Sequence, residues 1–117
     1  LAAIKRLQAH GWPIGLRFDP LLPVADFEAV HRAFFNQVFA ELDATKLHSV
    51  TVGVLRLPRD QARNIARLYP DEGLFALAET ERDGLVSYGA DADALLDWCS
   101  AELARRIPAQ RIHRQAA

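Results

Sequence analysis

Residues 12–23 read WPIGLRFDPLLP. An apolar run over 13–18 stops abruptly at Asp19-Pro20, with helical patterns on both sides. This is the grammar of a buried strand inside a βαβ unit, and it delivers polar residues at the strand's carboxyl end. In parallel α/β proteins, ligands sit at that end. Arg17 and Asp19 are therefore the first candidate site residues. They are two positions apart on a strand and so point to one side. They read either as contacts to a ligand or as an ion pair that closes the loop.

Residues 1–10, before the strand, carry Ile4 and Leu7 at helical spacing, and Gly11 and Pro13 stop that helix. After the strand, residues 26–42 form the strongest periodic signal in the chain. Asp26 is placed to cap this helix. Phe27, Val30, Phe34, Phe35, Val38, Phe39 and Leu42 form a broad apolar stripe that needs a sheet to cover. Residues 48–57, HSVTVGVLRL, make a second buried strand. Strand, helix, strand in this order implies a right-handed crossover and a parallel pair. Pro58 closes the strand. Asp60 is placed to cap a helix carrying Ala62, Ile65, Ala66 and Tyr69, which ends at Pro70.

The region from about residue 71 changes character. The segments 74–79 and 85–89 flank a hairpin signal at Asp83-Gly84. A last helix runs from Asp91 to about Ile107, with Ala94, Leu95, Trp98, Cys99 and Leu103 inward. A short final strand is expected near 111–113.

The chain has 117 residues, 50% of them hydrophobic, which suits one domain. A net charge of −1 creates no field directed at nucleic acid or membrane. No apolar run reaches spanning length. The single cysteine, Cys99, excludes an internal disulfide and any Cys-rich metal motif, and fits a cytoplasmic protein. The four histidines lack ligand spacing, and no phosphate-cradling glycine loop or GxSxG is present. The basic cluster Arg105, Arg106, Arg111, His113 and Arg114 reads better as helix-terminal cations than as a phosphate site. The chain starts at Leu1 already in a helical pattern, so a piece of a longer protein is expected.

Several segments together resemble the C-terminal part of the spore photoproduct lyase-like family, the DNA-repair branch of the radical S-adenosylmethionine enzymes. They are AAIKRLQAHGWPIGLRFDP, the aromatic-rich helix with DFEAVHRAFF, SVTVGVLRLP with the helix ending at Tyr69-Pro70, and the hairpin with Ser87-Tyr88-Gly89. The resemblance covers nearly the whole chain in order and spacing. It implies an α/β architecture: the C-terminal portion of a partial (β/α) barrel, with two parallel strands and their helices, then a β-hairpin and terminal helix over about 71–117. It also implies S-adenosylmethionine and a [4Fe-4S] cluster in the full-length protein, with none bound to this fragment. The family's CxxxCxxC loop lies outside this chain, so the fragment would be inactive alone. DNA is the implied partner of the full-length protein, and a thymine photoproduct or a related substrate its target. Ser87 stands where the family carries an Arg, and the hairpin is acidic, which points toward a related substrate.

On this resemblance Arg17, Asp19, Thr51 and Gly53 line the cofactor side of the barrel, and Arg56, Ser87 and Tyr88 face the substrate. Each has a plainer reading. Gly53 in a buried strand marks close approach of a ligand or of another backbone, or else plain helix-sheet packing. Arg56 is either a ligand contact or a surface charge. Tyr88 and Ser87 either touch a flipped nucleotide or pack across the hairpin. The rival to the lyase is a free-standing α/β binding or interaction module without chemistry of its own. On the truncated-barrel reading the strand at 13–18 is left without its upstream neighbour. The isolated chain is then expected to self-associate through that edge, unless its terminal segment folds back on it.

Overall fold

The computed structural model describes residues 1–89 and 91–115. The chain is α/β, with two small sheets. Helix α1 (Ala2–Ala9) leads into strand β1 (Ile14–Leu21), then helix α2 (Phe27–Glu41) and strand β2 (Leu47–Val54). Strand β3 (Arg56–Pro58), helix α3 (Arg59–Leu68), and the hairpin strands β4 (Glu79–Arg82) and β5 (Leu85–Tyr88) follow. Helix α4 (Ala92–Ala104) and strand β6 (Ile112–Arg114) close the chain. One sheet has the order β1-β2-β6 and is wholly parallel. The other has the order β3-β5-β4 and is antiparallel.

The main core lies on one face of the parallel sheet. Leu16, Val50 and Val52 point there and meet Phe35 and Val38 of α2 and Leu96, Cys99 and Leu103 of α4. Ile4 of α1 packs against the same cluster. Gln8 ties α1 to the end of α2: its amide donates to the Asp43 carbonyl at 3.1 Å and its oxygen accepts from the Asp43 N–H at 3.0 Å. Glu102, buried on α4, braces α4 to α2. It accepts from Arg32 at 3.1 Å and from Arg106 at 3.1 Å, and Arg105 reaches it at 3.3 Å. A smaller cluster, Ala62, Val86 and Tyr88, joins α3 to the antiparallel sheet.

Several expectations change. The run at 48–57 is two strands, because the chain leaves the parallel sheet at Leu55 and Arg56–Pro58 pairs with β5 instead. Hydrophobicity is continuous across that break and cannot mark it. β1 continues through Pro20 to Leu21, with a register shift between Phe18 and Leu21. A proline is tolerated there because it falls within that irregularity, where the β1–β2 ladder is already interrupted. Asp26 does not cap α2 through its side chain; it adopts the left-handed conformation with φ 55°. Asp60 lies inside the first turn of α3, and Pro58 takes the cap position. Asp91 does cap α4, accepting from the Ala94 N–H at 2.9 Å. The 74–79 segment is a 3-10 turn over Gly73–Ala76, and the first hairpin arm starts at Glu79. Asp83 and Gly84 form the turn with φ 53° and 76°, the left-handed pair that a two-residue hairpin requires. The apolar stripe of α2 is narrower than its periodicity suggests, since Val30 and Phe34 stay about half exposed. Tyr69 is exposed, and Ala94 faces solvent while Leu96 is inward. The final strand exists, so the parallel strands number three among the described residues, and β6 lies against β2 rather than on the outer edge of β1.

Candidate functional site

The helices that build the main core approach the parallel sheet from one side. On the other face, alternation brings up Gly15, Arg17 and Asp19 from β1, Ser49, Thr51 and Gly53 from β2, and His113 and Gln115 from the last strand and the residue after it. Neither apolar cluster includes this face. Purely parallel sheets normally have both faces covered, so a polar face that the described residues leave uncovered at the strand C-termini is the feature of this chain best suited to binding.

Four of its residues converge. Arg17 Nη2 donates to Asp19 Oδ2 at 2.7 Å and to Gln115 Oε1 at 3.1 Å. Gln115 is held in place by its own N–H, which donates to the Val52 carbonyl at 2.8 Å. Beneath them lies Gly53. A Cβ built there would stand 2.8 Å from Gln115 Oε1 and 2.9 Å from Asp19 Cγ. Glycine is thus needed so that the carboxylate and the amide can close over the strand. The Arg17–Asp19 ion pair forms, and what closes on Gly53 is neither a backbone nor a helix but the side chains of Asp19 and Gln115. Thr51 stands opposite Arg17 in the ladder, on the same face.

Arg56 lies one step beyond. With Asp19, Pro20, Val54, Leu55, Leu85 and Gln115 it lines a hollow of about 290 Å³ between the C-terminal ends of the parallel strands and the antiparallel sheet. Ser87 is the cross-strand partner of Arg56, and its hydroxyl donates to the Thr80 carbonyl at 3.4 Å. Tyr88 does not join them. Its side chain turns to the α3 side and packs edge-on against Phe75, with ring centroids 5.2 Å apart. Burial, helped by Glu79, pushes its phenol above the ordinary tyrosine value, so it stays protonated there. The structure therefore gathers Arg17, Asp19, Thr51, Gly53 and Arg56, leaves Ser87 at the margin, and places Tyr88 in the smaller core.

Sequence reading missed Gln115. It lies 98 residues from Arg17 and carries no local signal; only the pairing of β6 with β2 brings it in. His31 was also passed over. It borders a second hollow of about 220 Å³ beside Arg17, Asp19 and three phenylalanines. Its Nδ1 faces the Phe27 carbonyl at 2.9 Å, which can only accept, so Nδ1 carries the proton.

No cluster of three or more His, Cys, Asp or Glu that could hold a metal ion occurs among the described residues. Cys99 is the one cysteine of the sequence, and it is buried in α4 on the helix side of the sheet. Burial, with Glu102 nearby, pushes its thiol up to about 12. A thiol so hard to ionise is a packing residue. Among the described residues, no helix is long and apolar enough to cross a membrane. Comparison with protein-family models, with curated proteins and with solved structures finds no match to this chain.

Proposed function

We propose that this chain is the C-terminal segment of a radical S-adenosylmethionine lyase of the spore photoproduct lyase-like family, acting in DNA repair on thymine photoproducts or a related substrate. One observation supports the reading most: a wholly parallel sheet whose uncovered face is polar and gathers Arg17, Asp19, Thr51 and Gln115 around Gly53. A face of that kind suits the lumen of a partial (β/α) barrel, where strand C-termini meet cofactor and substrate. In this reading β1 and β2 are barrel strands, and the antiparallel sheet and α4 are appended to them.

The residues present do not fit an iron-sulfur cluster, which is normally held by several thiolates. One buried cysteine cannot supply them, so the cluster belongs to the remainder of the protein. The polar face does fit groups that S-adenosylmethionine carries. A carboxylate such as Asp19 accepts from hydroxyl or ammonium groups, and a guanidinium such as Arg17 matches a carboxylate. Arg17 and Asp19 would bind and orient, each held by the other. Arg56 and Ser87, across the adjacent hollow, would face the substrate side.

The test is made on the full-length protein. The upstream reading frame should encode a CxxxCxxC loop in one chain with Leu1. Arg17→Ala and Asp19→Ala should then cut S-adenosylmethionine cleavage while leaving the melting temperature nearly unchanged. An upstream frame without such a loop, or variants that lose stability yet keep full specific activity, would sink the proposal. A second reading, a binding module without chemistry, is favoured by the completeness of the main core, in which Phe35, Val50, Val52 and Leu103 are wholly buried within this chain. It predicts no effect of the upstream frame on anything the 117 residues do.

A further inference from the structure

We infer that the cluster over Gly53 is a binding site for a neutral amide, and that the Gln115 carboxamide occupies it as a resident stand-in which a ligand's carboxamide displaces. The inference rests on the proposed reading of this face as a ligand site, but not on the lyase chemistry. Arg17 Nη2 gives both of its hydrogens to this cluster, one to Asp19 Oδ2 at 2.7 Å and one to Gln115 Oε1 at 3.1 Å. The two acceptors are held differently. Asp19 lies down against Gly53, with 19% of its side chain exposed. Gln115 is anchored through its backbone, whose N–H donates to the Val52 carbonyl at 2.8 Å. The bond from Arg17 is the only one its carboxamide makes among the described residues. An acceptor on a long side chain with a single hydrogen bond is readily exchanged for another, because the bond gains little and ordering the side chain costs entropy.

What the exchange exposes is a donor and an acceptor side by side: Arg17 Nη2 and the Asp19 carboxylate, which accepts more than one hydrogen bond. An amide presents the matching pair, a carbonyl that accepts and an N–H that donates. Charge points the same way. The Arg17–Asp19 pair is neutral as a whole, so an anion is opposed by Asp19 and a cation by Arg17, whereas an uncharged amide meets neither repulsion. Gly53 lets the group lie this low, since a Cβ there would stand 2.8 Å from Gln115 Oε1, the place that the ligand's carbonyl would take. The body of the ligand has room next to it. Asp19 and Gln115 also line the hollow of about 290 Å³, together with Pro20, Val54, Leu55 and Leu85. Apolar side chains around a few placed polar groups are the composition of a small-molecule site. The ligand class is thus a compact carboxamide on an apolar ring or chain, with the amide on Arg17 and Asp19 and the apolar part in the hollow.

Benzamide is the probe, and benzoate its charged counterpart of the same shape. Titration of the purified chain, followed by proton–nitrogen NMR, should give saturable benzamide shifts at the Gly53 and Leu85 amides. Gln115→Ala removes the resident group and its intramolecular competition, so benzamide should bind about tenfold more tightly. Gln115→Asn, whose oxygen falls one methylene short of Arg17, should do the same, and it carries the test should the alanine variant fail to fold. Arg17→Ala should weaken benzamide binding about tenfold. Benzoate should bind the parent about tenfold more weakly than benzamide, because Asp19 opposes it. Folded Gln115 variants that bind benzamide no more tightly than the parent would make Gln115 a structural clasp and overturn the inference. Benzoate binding as tightly as benzamide, or no saturable binding by the parent and the folded Gln115 variants, would overturn it too. None of these measurements reads S-adenosylmethionine cleavage, so this inference and the lyase proposal fail separately.

Discussion

On the helix side of the parallel sheet, Val50, Val52, Phe35 and Leu103 are wholly removed from solvent, whereas on the opposite side Arg17 leaves 61% of its side chain in water while it holds Asp19. Both faces belong to the same three strands and alternate residue by residue. What separates them is the kind of free energy each carries. The helix side gains from removal of apolar surface and from close packing, which are large and insensitive to salt. The polar side gains little from its exposed ion pair, because water screens it. Its residues are held by hydrogen-bond geometry and by the close approach over Gly53 rather than by strong attraction.

The contrast can be broken most forcefully at Phe35. Replacing it with alanine empties a fully buried aromatic site between α2 and the sheet and should cost about 3–5 kcal/mol, read as a lower denaturant midpoint at unchanged slope. A cost below about 1 kcal/mol would mean that α2 is not the main cover of the sheet.

Glu102 comes next. Burial pushes its carboxyl up, but hydrogen bonds from Arg106 and Arg32 and the charges of Arg32 and Arg105 outweigh that and hold it below the ordinary glutamate value. A carboxyl lowered in the folded state stabilises the protein fully above its unfolded value, near about pH 4.3. That stability is lost as pH falls through the lower folded value. Glu102→Gln should therefore cost about 1–2 kcal/mol at neutral pH, discounted because Arg32 and Arg105 are largely exposed. Its acid unfolding curve should be flatter than the parent's below pH 4. Parallel curves for the two proteins would show that the α2–α4 brace is not electrostatic.

Gly53→Ala tests the polar side from beneath. The added methyl must displace Gln115 Oε1 and the Asp19 carboxylate, 2.8 Å and 2.9 Å away. Gln115 is a flexible side chain and can yield, so the stability cost should stay near about 1 kcal/mol. Ligand binding at the face should suffer far more than the melt. An alanine variant with unaltered binding would place the ligand elsewhere.

Arg17→Ala should have the smallest effect on folding, below about 0.5 kcal/mol, measured by thermal melts at low and high salt. A loss well above that would make the pair a structural clasp and merge the two faces into one.

Local pattern determined much of this protein. The residues of β1 and β2, the long α2, the Asp83-Gly84 turn and the Asp91 cap all follow from periodicity and from single-residue conformational preference, which act over a few neighbours. The pair Arg17 and Asp19 was legible for the same reason, because two positions apart on a strand is a local relation. Only the tertiary structure decided that the chain changes sheets at Leu55, that Val30 and Phe34 stay outside the core, that Tyr88 turns into the smaller core, and that Gln115 completes the cluster over Gly53. Each of these depends on which distant element lies alongside, and that is set by strand register and by the area each packing arrangement removes from water. Neither quantity is written in any short stretch of residues.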